Sequence, residues 1–134
     1  MGYYSSIYNF EQFPIELVPS ASLEILRRRI AETNSDALGE LDFWFSMELE
    51  DSSLVLSVDG AEGNSSELEL ALKVLVTVVN ELQSPSDSSG LQGLRFHFEL
   101  WGEEPGDAVL YRSEGDELLA IVGEMKFSGA PRKV

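Results

Sequence analysis

The chain has no cysteine, one histidine, and no lysine or arginine between Arg29 and Lys73. Without cysteine there is no disulfide framework, no thiol nucleophile and no thiolate-held metal. With His97 as the sole histidine, a histidine-rich metal cluster is excluded. A Ser-His-Asp relay would need a serine and a carboxylate to converge on that one residue. No stretch approaches the roughly 20 apolar residues of a membrane span. The opening MGYYSSIYNFEQFPIEL lacks the basic start and continuous apolar run of a signal peptide, so a cytoplasmic protein is the expectation. Neither a GxGxxG turn nor a phosphate-binding P-loop is present, and no cofactor is implied.

What fills the gap in basic residues is acid. Eleven acidic residues lie between Glu32 and Glu69, and over all 134 residues 24 acids face 9 bases, a net charge of -15. Such a surface repels nucleic acid and anionic membranes and attracts basic proteins. Apolar residues make up 43% of the chain and aromatics 10%, which suits a folded domain rather than a disordered acidic tail. The length fits one domain, 1–134, with a Ser/Pro/Asp/Gly-rich mobile loop at 84–93 and a loose tail at 128–134.

Patterning along the chain predicts an α+β fold. Tyr3 to Val18 is aromatic and β-branched, punctuated by Pro14 and Pro19, and reads as an edge strand. Ser20 or Ser22 caps a short helix to about Thr33, with Leu23, Leu26 and Ile30 on one face. Asp42 to Glu50 alternates, with Phe43, Phe45, Met47 and Leu49 on one side and Asp42, Trp44, Ser46 and Glu48 on the other. With Leu54 to Asp59 this segment predicts a hairpin. Ser66 and Glu69 have capping-box spacing and open a helix to about Gln83. Three strands follow: Leu94 to Gly102, Ala108 to Arg112, and Glu117 to Phe127. The order β-α-β-β-α-β-β-β matches a ferredoxin-like unit with a terminal meander. It predicts one mainly antiparallel sheet with both helices on one face.

The opening Met1-Gly2-Tyr3-Tyr4 and the stretch Glu99 to Arg112, with Gly102-Glu103-Glu104 and Gly106-Asp107, resemble small uncharacterised proteins of actinobacteria and their phages. These share the chain's length and strand-rich order. The resemblance implies a bacterial or phage accessory setting and no particular chemistry.

The carboxylates do not sort into a catalytic or metal pattern. The turns Gly102–Asp107 and Asp59–Asn64 lack the alternating spacing of a calcium loop and read as solvated turns. With so many acids, a close carboxylate pair is expected by chance. Arg27, Arg28 and Arg29 form the only basic run, and neutralisation of nearby acids is their simplest use. The tryptophans carry more information. Alternation sets Trp44 and Trp101 off the core-facing side of their strands, among Asp42, Glu48, His97 and Glu99. These six residues form the candidate partner-binding surface, because tryptophan is enriched at binding hot spots.

Three readings follow. The first is a non-enzymatic acidic binding protein, such as an inhibitor, immunity protein or nucleic-acid mimic, acting on a basic partner. The second is a structural or housekeeping protein whose acidity serves solubility. The third is a small-ligand binder or enzyme with a cleft near Trp44, His97 and Trp101. A homodimer is compatible with each. The charge alone predicts no mobility shift of DNA or RNA at physiological salt, because non-specific binding needs phosphate-neutralising cations.

Overall fold

A computed structural model describes residues 5–13, 15–51, 53–58, 62–84, 95–102, 108–114 and 117–123. The expected mobile loop (apart from Ser84), the turn at 103–107, residues 59–61 and the tail at 128–134 lie outside the described residues. The fold class is α+β, as expected. The elements are β1 (Ser5–Phe13), β2 (Ile15–Glu16), α1 (Leu23–Thr33), α2 (Ser35–Trp44), β3 (Phe45–Glu50), β4 (Ser53–Val58), β5 (Glu62–Gly63), α3 (Ser65–Leu82), β6 (Arg95–Trp101), β7 (Ala108–Glu114) and β8 (Glu117–Gly123).

The first helix is α1. Ser22 caps it, its Oγ accepting from the Ile25 N–H at 3.3 Å, and Leu26 and Ile30 are buried one turn apart. Asn34 ends this helix and begins the next. Its backbone N–H donates to the Ile30 carbonyl, while its side-chain oxygen accepts from the N–H groups of Asp36 and Ala37 at 3.0 and 3.3 Å. The resulting helix α2 occupies part of the segment expected to be strand. Ala37, Leu41 and Trp44 are buried at i, i+4 and i+7, the spacing of one helical face. Strand geometry starts only at Phe45. The alternation read from Asp42 onward is therefore correct for β3 and wrong for Asp42, Phe43 and Trp44. Phe43 is 71% exposed and Trp44 is 2% exposed, the reverse of the strand reading.

The third helix, α3, is capped by Asn64, which accepts from the Ser66 N–H at 2.9 Å, rather than by a Ser66–Glu69 box. Its valine run stays helical because the residues from Leu68 to Val79 bury on several sides. Beyond its end, Leu17 bridges Gln83 and the Ser84 N–H donates to the Glu16 carbonyl, so Ser84 is buried rather than part of a mobile loop.

Among the described residues the strands form two antiparallel sheets, not one. The first has the order β5-β1-β6-β7-β8, and the second β2-β4-β3. Among the described residues the β3–β4 hairpin pairs with β2 and not with β1, so the ferredoxin-like order is not followed, and three helices stand where two were expected. The expected terminal meander is β6-β7-β8. Gln12 joins the sheets: its carboxamide donates to the Leu54 carbonyl at 3.2 Å and accepts from the Leu56 N–H at 2.8 Å. It thereby serves β4 as a neighbouring peptide group would, where β2 is only two residues long. Phe98 centres an aromatic cluster with Phe10, Phe45, Phe96 and Tyr111, at ring separations of 5.2 to 6.3 Å.

Trp44 explains why β5 contains glycine. A Cβ at Gly63 would overlap the indole ring, and the Trp44 indole N–H has no hydrogen-bond partner among the described residues. Gly63→Ala should therefore destabilise the protein by about 1–3 kcal/mol, the usual size of an overpacking change, as measured by urea unfolding.

Candidate binding surface

Along β6 the side chains of Phe96, Phe98 and Leu100 are buried, while Arg95, His97, Glu99 and Trp101 take the other face. Cross-strand register shows what surrounds them. Trp101 stands between Ser6 of β1 and Ala108 of β7, and Ser6 pairs in turn with Glu62 of β5. The next row is Tyr8, Glu99, Leu110 and Ile121. A bulge in β1 follows, and the third row is Glu11, His97, Arg112 and Leu119.

This outer face is apolar at its centre. Tyr8 and Trp101 are 54% and 39% exposed, with ring centroids 6.4 Å apart and planes at 88°. That edge-to-face arrangement is the one aromatic quadrupoles favour. Ile121 is also exposed, and Leu110 lies half-buried beside it. Glu62 and Glu99 border the aromatic pair. Further along, His97 Nε2 lies 2.7 Å from a Glu11 carboxylate oxygen. This contact is an ion pair when the imidazole is protonated and a hydrogen bond when it is neutral.

Of the six sequence-derived site residues, three are brought together here: His97, Glu99 and Trp101. The other three are elsewhere. Trp44 is buried against Gly63 on the inner side of the sheet, so it cannot anchor a partner and does not share the outer face with His97 and Trp101. Asp42 lies on α2 in an ion pair with Arg27, and Glu48 is exposed on β3 of the other sheet. Arg29 pairs with Glu32 at 3.1 Å and with Glu81, so the basic run does neutralise nearby acids. Tyr8, Glu11 and Ile121 were not found from the sequence, because their place depends on strand register.

A second acidic feature lies between α2 and α3. A cleft of about 490 Å³ is lined by Ser35, Asp36, Gly39, Glu40, Glu67 and Leu70. Partial burial, then the charge and hydrogen bond of Glu67, then the charge of Asp36, raise the Glu40 carboxyl above the ordinary carboxylate range. On the inner side of the sheet, burial and the nearby Glu69 carboxylate push the Tyr111 hydroxyl up to about 12. That hydroxyl donates to Glu69 at 3.2 Å. Among the described residues no group of three or more Asp, Glu or His side chains is arranged to hold a metal, and no helix is long and apolar enough to cross a membrane. No protein-family model, curated protein or solved structure matches the chain.

The raised Glu40 pKa has a defined sign. The folded state holds this proton more tightly than the unfolded state, so stability from this group is greatest at low pH and is lost as pH rises through the folded pKa. Glu40→Gln should stabilise the protein at neutral pH by about 0.5 kcal/mol, the scale of like-charge helix pairs. The gain should vanish below the ordinary glutamate range. Thermal melts of both proteins across pH check this.

Proposed function

We propose that this chain is a small acidic binding protein, without catalysis of its own, whose outer sheet face receives a basic protein partner. A bacterial or phage cytoplasm is the proposed setting. The observation that carries the reading is the exposed Tyr8–Trp101 pair, set between Glu62 and Glu99. An arginine or lysine of the partner suits this place on two counts. Its cation is attracted to an aromatic face, and the flanking carboxylates balance its charge. The net charge of -15 would speed encounter with a basic surface.

The distribution of acids separates versions of this reading. Described carboxylates are exposed on both sheets and all three helices, not gathered in one row. That dispersal favours docking anchored by aromatics over a mimic whose carboxylates occupy successive phosphate positions. It also supports the solubility reading, in which the acids have no partner.

Titration with protamine, an arginine-rich protein, tests the proposal. Trp101→Ala should weaken binding roughly 30-fold, the effect of losing an anchor. Glu99→Gln should mainly slow association and flatten its salt dependence. Glu24→Gln, on α1 and away from the face, should change little. Equal, small effects of all three would mean that general acidity accounts for binding, and the solubility reading would stand.

A further inference from the structure

A β-sheet edge exposes unpaired backbone N–H and C=O groups that can template pairing with another strand. Four strands lie at sheet edges here: β5, β8, β2 and β3. Two of them, β5 and β2, are two residues long. The β3 edge carries Glu48 and Glu50, which repel a second anionic chain. Among the described residues the β8 edge has no such guard. It is seven residues long, has no charge or proline from Leu118 to Gly123, and pairs with β7 in unbroken register.

The pairing also fixes which backbone groups face away from β7. Two residues separate Glu114 from Glu117, so that pair closes the hairpin with hydrogen bonds. Alternation then directs the N–H and C=O groups of Leu118, Ala120 and Val122 away from β7. Among the described residues no strand meets them.

We propose that β8 of a second copy does. The two strands run antiparallel about a two-fold axis at Ala120 and join two five-stranded sheets into one. In this register Leu119 faces Ile121 of the second copy, so the outer side of the joined sheet gains an apolar pair about the axis. Charge selects this occupant. A basic partner finds no carboxylate between Leu118 and Gly123 to hold it, whereas a second copy presents an equally uncharged strand. Glu117 falls opposite Gly123, which sets the two Glu117 side chains about 20 Å apart, beyond the screening length of about 8 Å at physiological salt. A strand-edge contact is smaller than the roughly 1,600 Å² of a standard interface, so the dimer is reversible. The bodies behind the strands still repel, so salt strengthens the dimer, whereas it would weaken the docking of a basic partner.

Sedimentation equilibrium over a range of protein and salt concentrations tests this. The expected result is a monomer–dimer equilibrium that shifts toward dimer as salt rises and is weakened at least tenfold by Ala120→Pro, which removes an outward N–H. Ala120→Cys is the second variant, in case the proline perturbs folding. The chain has no other cysteine, and paired Cα atoms about 5.5 Å apart at the axis fall within disulfide range. Mild oxidation should link Ala120→Cys into a covalent dimer much faster than Thr77→Cys on the exposed side of α3. A monomer under all conditions, a dimer weakened by salt, or linking of Ala120→Cys no faster than of Thr77→Cys would overturn the proposal.

Discussion

The stacking of Phe98 on Tyr111, 5.2 Å apart and inclined by 18°, is the contact around which the two sheets are arranged. Phe98 is fully buried on β6. It meets Phe10 of β1 within its own sheet and Phe45 of β3 from the other. Aromatic rings contribute both a large buried area and a preferred geometry, so this cluster sets the angle of approach as well as the affinity of the layers. Gln12 adds a polar constraint to the same junction, since its amide must reach both Leu54 and Leu56 of β4. Sliding one sheet past the other would break that pair of hydrogen bonds and the ring contacts together.

Local signals in the sequence were reliable where nothing competed with them. A serine cap at Ser20 or Ser22, the apolar face of α1 and the alternation of β6 could be read directly, and the last of these placed His97, Glu99 and Trp101 on one face. Around Asp42 two periods overlap. Ala37, Leu41 and Trp44 follow the helical repeat, while Phe43, Phe45 and Met47 follow the strand repeat. The helix prevails up to Trp44 because Asn34 nucleates it, and burying the indole against Gly63 outweighs exposing Phe43. The division into two sheets was not legible, because it depends on pairings between distant segments. Tyr8 and Glu11 were missed for the same reason: a bulge in β1 sets which of its residues meet β6.

Acidity and apolar exposure are partly separate in this molecule. The aromatic pair occupies the outer sheet face, where Arg95 and Arg112 accompany the glutamates. Glu40 and Glu67 associate elsewhere, at the α2–α3 cleft. Selection for solubility needs only the total charge. An exposed tryptophan beside an exposed tyrosine does nothing for solubility, so solubility alone gives no account of that pair.

Asn34 has a consequence for how this chain can vary. One residue both closes α1 and opens α2, so no slack separates the two helices. Each residue of a helix turns the chain by about 100°. A single insertion between Asn34 and Leu41 would rotate the indole of Trp44 away from Gly63, bring Phe43 into its place and set Glu40 in the buried place of Leu41. Length changes should therefore be excluded from this corner even where individual side chains can be exchanged, and the helix from Asn34 to Trp44 acts as a ruler whose length, more than its composition, is under constraint.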